Sequence, residues 1–227
     1  MTIADRILLV QQSIIQSAKR QGRNPGDIRL IAVSKGQPAT AIQQAFACGL
    51  NEFGENYWQE AKSKIDILKK LPIIWHFIGL VQSNKAADIA THFDWVHTVD
   101  REKTAAYLAR YRPADKPPLN VCIQINLDDE PGKSGIAPAE AQALATFILQ
   151  CPTLRLRGLM AIPKPHCDEK RQYQSLLRLA RLLEQINQQY PVRLDTLSMG
   201  MSDDLQAAIR AGSTMVRVGR AIFGERG

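Results

Sequence analysis

Cysteine is scarce in this chain: four residues in 227, Cys48, Cys122, Cys151 and Cys167. No two form a C-x-x-C pair, which leaves no sign of a zinc knuckle or a redox centre. The N-terminus, "MTIADRILLVQQSIIQSAKRQG", has no positively charged leader and no uninterrupted apolar core. It reads neither as a signal peptide nor as a membrane span, so a cytoplasmic protein without disulfides is expected. All four thiols are read as ordinary core or near-surface groups. Clustered charge is missing too. The net charge is +7 and the pI about 9.4, yet Lys62, Lys64, Lys69, Arg110, Arg112, Arg178 and Arg181 are scattered over helical stretches. Without a basic block or interleaved aromatics they read as solvated helix faces, and neither nucleic acid nor membrane is an expected partner.

The chain also lacks internal repeats, low-complexity tracts and long linkers. With 45% hydrophobic and 22% charged residues it is a globular chain, expected to form one domain over 1–227. With no such tract or linker no second domain is expected, and the given sequence runs eight residues past Gly219.

What is present is alternation. A leading helix within residues 1–22 carries Ile3, Ile7, Val10 and Ile14 on one stripe, and "GRNPGD" ends it. Eight strand-like runs follow: 29–34, 51–55, 73–79, 95–99, 120–127, 156–162, 195–200 and 214–219. Helical periods separate them, most plainly at 171–186, where Tyr173, Leu176, Leu177, Ala180 and Leu183 oppose Arg178, Arg181 and Gln185. Alternating strands and helices mean an α/β fold around a parallel sheet. A doubly wound open sheet is the alternative, but eight near-even repeats fit a closed (β/α)8 TIM-like barrel.

Barrel sites sit at the C-terminal ends of the strands. There the sequence places Lys35 after the first strand, Glu55 and Asn56 after the second, "LSMGMSDD" after the seventh and "VRVGRAIFG" over the eighth. Many barrels bind phosphate between the last two loops, with backbone N–H groups and a short helix N-terminus. Ser198 offers a hydroxyl, Gly200 an open backbone, and Gly219 a close approach beside the N–H of Arg220. Each turn alone is a weak signal; together they outline an anion site. In "TMVRVGR" the valines share one face and Met215, Arg217 and Gly219 the other. If the valines pack outward, Arg217 enters the barrel and needs an acceptor: a structural acid, a phosphate or a ring nitrogen.

Lys35 has the parity of Ile31 and Val33, and closure makes the first and eighth strands neighbours. Its amine then lies beside the anion site, where cations and partial desolvation favour the neutral form that attacks carbonyls. Taken alone, a lysine at a strand end more often reaches into water. With the phosphate pocket and an inward arginine, the implied ligand has an aldehyde, a phosphate and a ring nitrogen: pyridoxal 5′-phosphate (PLP). Asn56 is placed to hydrogen-bond a ring substituent and His76 and Met199 to make apolar or edge contacts, though each reads more safely as support behind the site or as core; Glu55 is placed to fix loop geometry. His92, His97 and His166 show no ligand spacing, so no metal is assigned.

"AVSKGQP", "FGENYWQE", "WHFIGLVQSNK", "GLMAI", "LSMGMSDD" and "VRVGRAIFGER" occur in order across nearly the whole chain. In these motifs it resembles the pyridoxal phosphate homeostasis proteins, single-domain relatives of the alanine racemase barrel. The resemblance implies a fold-type III barrel with PLP held as an internal aldimine on Lys35. It also implies phosphate contacts from Ser198, Gly200, Gly219 and Arg220, with Arg217 near the cofactor. It further implies a protein that carries or buffers PLP. With no dimerising second domain read from the sequence, a monomer is expected, with a weak dimer as the alternative, and PLP-dependent apoenzymes or a regulatory protein are candidate partners. Effects on amino-acid and keto-acid pools follow indirectly. A PLP-dependent racemase is the competing reading. It needs a second base, and of the tyrosines only Tyr57 lies near a strand end, at the start of a helix.

Overall fold

The structure is a computed structural model that describes residues 1–130, 132–164 and 168–224; His166 and Cys167 fall outside them. The strands are β1 (Arg29–Val33), β2 (Glu52–Glu55), β3 (Ile74–Phe77), β4 (Trp95–Val99), β5 (Leu119–Gln124), β6 (Leu154–Met160), β7 (Thr196–Ser198) and β8 (Met215–Val218). They pair in sequence order, all parallel, and close into a barrel through β1 and β8. The helices are α1 (Ile3–Arg20), α2 (Ala39–Ala47), α3 (Trp58–Leu68), α4 (Ala86–His92), α5 (Glu102–Tyr111), α6 (Ala141–Leu149), α7 (Glu169–Asn187), α8 (Leu205–Arg210) and α9 (Arg220–Phe223). One helix follows each strand, so the expected (β/α)8 architecture is the observed one.

Every sequence-read strand is present, but most are shorter than their apolar runs. β5 ends at Gln124, beyond which Ile125 only bridges to Ile136. β6 starts earlier, at Leu154, because "LRL" pairs with Leu119–Val121. The leading helix has a structural purpose in this geometry. α9 spans four residues and is too short to cover β8, while α1 packs against α8, α9 and α2 and buries Ile7, Val10 and Ile14. Thr2 and Asp5 form a reciprocal capping box at its start. On α7 the buried stripe runs through Leu176, Leu179, Leu183 and Ile186, slightly rotated from the expected one, with Leu177 half-buried.

Two of the basic residues are not solvated. Lys64 turns in beneath the first two strand ends. Arg112 is buried and donates to the carbonyls of Ala90 and Phe93, at the end of α4, and of Pro117, in the loop between α5 and β5. A cation that completes backbone hydrogen bonds looks the same in sequence as one that faces water. Among the described residues, no helix is long and apolar enough to cross a membrane.

Outside the strands, an apolar shell joins barrel to helices. Inside, Ile31, Trp95, Cys122, Met160 and Met215 form a separate small core with Ile74 packed on it. Much of the rest of the lumen is polar. Arg29 and Arg157 lie 4.8 and 4.9 Å from the Trp95 ring centroid and close the N-terminal end, where Arg157 grips Asp195 through two hydrogen bonds. Cys122 sits in this inner core, and burial pushes its thiol up to about 12, so it is chemically inert at neutral pH.

Candidate functional site

A pocket of about 230 Å³ opens at the C-terminal mouth of the barrel. Lys35, Asn56, Arg217, Gly219 and Arg220, all read from the sequence as site residues, line it. Ile31 pairs with Arg217 across the closing seam, which brings the end of β1, and with it Lys35, beside the end of β8. A Cβ on Gly219 would meet the Val33 carbonyl oxygen at 3.2 Å, so glycine keeps this seam tight and the backbone open to the pocket.

The Lys35 loop is held on both flanks. Lys64 Nζ donates to the Ser34 carbonyl and to Glu55 Oε1, each at 2.7 Å, and to Glu60. Ser34 Oγ donates to Glu55 at 2.6 Å, and the Gly36 amide to Glu60. Residues 34 and 36 are thus pinned by one buried ion cluster, with Lys35 between them and Gly36 in the left-handed region at φ +73°. Glu55 fixes the loop as expected, and its partner is a lysine the sequence reading had placed in solvent. Burial pushes the Glu55 carboxyl above its ordinary value, against the pull of Lys64 and Ser34.

Asn56 leaves β2 under a second constraint. A Cβ on Gly79 would sit 1.9 Å from the Asn56 carbonyl oxygen. Gly79→Ala must push this backbone aside, and we expect a loss of about 3 kcal/mol in stability by chemical denaturation. Unchanged stability would mean that the two loops separate at no cost.

Ser198, Met199 and Gly200 do not line the pocket. The Ser198 side chain faces the lumen below it, fully buried between His97 and Arg217. Met199 has the opposite parity and packs in the outer apolar shell. Gly200 adopts φ +99° beside Ala208 and turns the chain so that Met201, Ser202 and Asp203 reach the mouth instead. Asp204 braces this turn by accepting from the Met201 amide at 2.6 Å. The missed residue is Ser202. Its signal was the run "MSDDL", a helix start whose polar residues precede α8, whereas strand parity drew attention to Ser198. Val33, Ile78, Ile162 and Phe223 were also missed; they supply the apolar wall.

Arg217 is buried at 4% exposure. It donates from Nη1 to Ser198 Oγ at 2.7 Å and from Nη2 to the Ala161 carbonyl at 3.0 Å. Those bonds use two of its five N–H donors. Burial lowers its pKa to about 10, with Asp204 opposing, so it remains a cation at neutral pH. Arg220 at the rim reaches Asp203 at 3.0 Å, an exposed pair of little energetic weight. His76 and His97 lie deep in the lumen, away from the pocket lining. Among the described residues no cluster of side chains is arranged to hold a metal.

The chain matches the family described as "Alanine racemase, N-terminal domain" over residues 15–227. It is 53% identical to the pyridoxal phosphate homeostasis protein of Pseudomonas aeruginosa, over 99% of this chain and 96% of that one. It is 51% identical to the protein of the same name in Escherichia coli, over 99% and 97%. The structure of PipY from Synechococcus elongatus, solved with PLP bound, superposes with a TM-score of 0.86 at 36% identity, covering 98% of this chain and 100% of that one. Alanine racemase from Corynebacterium glutamicum, 17% identical with a TM-score of 0.71, shares the fold over 62% of its own length. The barrel, the ordered motifs and these full-length matches agree: the chain belongs to the pyridoxal phosphate homeostasis proteins, within the family of alanine racemase N-terminal domains.

Proposed function

We propose that this chain is a PLP-binding protein of vitamin B6 homeostasis that carries or buffers the cofactor rather than turning over a substrate. The observation that carries the reading is the donor set converging on one pocket: the Lys35 amine, the Arg217 guanidinium, the Asn56 amide and the Ser202 hydroxyl. Asn56 Oδ1 is buried with no hydrogen-bond partner among the described residues, as suits an acceptor reserved for a ligand hydroxyl. Lys35 would hold the aldehyde carbon covalently. Ser202, Gly219 and the amides of Arg220 and Ala221 at the start of α9 would hold the phosphate, with the Arg220 side chain near it. When bound, PLP supplies an electrophilic carbon and an electron-withdrawing ring.

Two features favour carriage over racemisation. Among the described residues, the pocket lining contains no tyrosine, histidine or cysteine, and its acid, Asp203, is exposed and paired with Arg220. Tyr57, the nearest tyrosine by sequence, precedes α3 and is 64% exposed. Among the described residues, no second base therefore stands opposite Lys35. We read all 227 residues as one domain, a cytoplasmic monomer whose open mouth lets PLP pass to apoenzymes or face a regulatory protein. The test is direct. Protein incubated with PLP and desalted should be yellow, bleach with borohydride, and afterwards carry the label on the peptide containing Lys35. Protein that stays colourless and retains no PLP overturns the reading.

A further inference from the structure

Beneath the pocket, five side chains join end to end through the barrel lumen. Arg217 Nη1 lies 2.7 Å from Ser198 Oγ, and Ser198 Oγ 2.7 Å from His97 Nδ1. His97 Nε2 lies 2.9 Å from His76 Nδ1, and His76 Nε2 3.1 Å from Glu52 Oε2. This last contact is bent away from ideal hydrogen-bond geometry and acts mainly between dipole and charge. Glu52 is in turn gripped by Arg29 at 2.8 and 2.7 Å. His76, His97 and Ser198 are fully buried.

The two ends fix the direction of every bond between them. An arginine only donates and a carboxylate only accepts. Ser198 accepts from Arg217 and, because His76 must turn its proton toward Glu52, passes its own proton toward His97 Nδ1. His97 then carries its proton on Nε2 and donates to His76 Nδ1, which leaves the His76 proton on Nε2, facing Glu52. The reverse order would set two lone pairs, His76 Nε2 and Glu52 Oε2, against each other in a buried place, at the cost of an unmet acceptor.

We propose that this one-way chain is a positioning device: Glu52, through His76, His97 and Ser198, locks both histidines as neutral Nε2–H tautomers and holds the Arg217 guanidinium in place under the pocket. Charge at both ends agrees with it. Burial lowers both histidines, His97 further because His76, Arg217 and Arg29 are near it. Burial pushes Glu52 up, but His76 and Arg29 more than offset this and leave it an anion. Of that pair we assign the charge to Glu52 and the neutral state to His76, because Arg29 already neutralises the carboxylate. Asp94 near His76, and Asp204 and Cys122 near Arg217, complete the ionisable surroundings. That the held guanidinium serves a cofactor rests on the PLP reading above; the chain itself does not.

Side-chain nitrogen-15 spectra of the protein without PLP test the chain first. His76 and His97 should each show one neutral tautomer protonated at Nε2, unchanged from mildly acid to mildly alkaline pH. His92 is the internal contrast: its Nδ1 lies 2.9 Å from the Asp88 carbonyl, so its neutral form is protonated there. An imidazolium or an Nδ1–H tautomer at His76 or His97 overturns the proposal. Ser198→Ala cuts the chain at its middle. Both histidines should keep the Nε2–H tautomers that Glu52 sets, while the Arg217 guanidinium loses its holder and PLP affinity falls about tenfold; Ser198→Thr, which keeps the hydroxyl, retains wild-type affinity. Wild-type PLP affinity in folded Ser198→Ala also overturns it. Should the wild-type protein take up no PLP, the functional reading fails, and the spectra still decide the chain.

Discussion

Lys64→Met should lower stability near neutral pH by about 3–5 kcal/mol, the scale for breaking a buried ion pair from one side. Methionine nearly fills the space of the lysine stem, so the loss is electrostatic in origin. Glu55, at 0% side-chain exposure, keeps its charge but loses the ammonium 2.7 Å away. The Ser34 carbonyl loses its donor as well, and Glu60, 31% exposed, regains water instead. The pH dependence gives the origin away. The folded Glu55 carboxyl already titrates above its ordinary value of 4.5, and without Lys64 it titrates higher still. The folded state then binds a proton more tightly than the unfolded chain, so its contribution is full below about 4.5 and is lost as pH rises through the folded value. Thermal unfolding of Lys64→Met should therefore recover as pH falls from neutral toward that point, and the double variant Glu55→Gln with Lys64→Met should regain much of the loss. A pH-independent deficit would mean that packing, not the stranded carboxylate, causes it.

The same cluster marks where sequence reasoning stopped. The barrel was legible because eight apolar runs alternate with helical periods, and a parallel strand covered on both faces must be apolar nearly throughout; all five residues of β4 are buried. Parity then placed Arg217 in the lumen and Lys35 at the mouth, both correctly for their position. Parity failed after β7. It counts residues along a straight strand, but the left-handed Gly200 ends the straight strand and hands the mouth to Ser202. It also could not show what the inward polar residues meet. His76, His97 and Ser198 are 21 and 101 residues apart along the chain, and only barrel closure makes them a line. Lys64 was misread for a related reason. Its helix face looks solvated by spacing, while the partner that draws it in, Glu55, is set by tertiary packing.

Lys35→Ala should abolish covalent fixation of PLP at residue 35 by borohydride and weaken retention of the cofactor by on the order of 100-fold, a change of ~2.8 kcal/mol. The size follows from tethering. An amine already positioned at the pocket wall captures an aldehyde at an effective concentration far above that of a free amine. Lys35→Arg separates the two contributions of the residue. A guanidinium keeps the positive charge that draws phosphate to the mouth but is never a neutral nucleophile. Its PLP affinity should therefore exceed that of Lys35→Ala while borohydride fixes no PLP at residue 35. Binding measured by fluorescence quenching or equilibrium dialysis, alongside peptide labelling after reduction, reads both quantities. The pair also decides between carriage and catalysis. With no second base opposite Lys35 among the described residues, racemisation by the wild-type protein at high concentration should not rise above that of free PLP, and neither substitution should change it. Turnover well above free PLP that disappears in Lys35→Ala would instead make Lys35 a catalytic base, and the barrel an enzyme whose second proton donor comes from the substrate or from water at the open face.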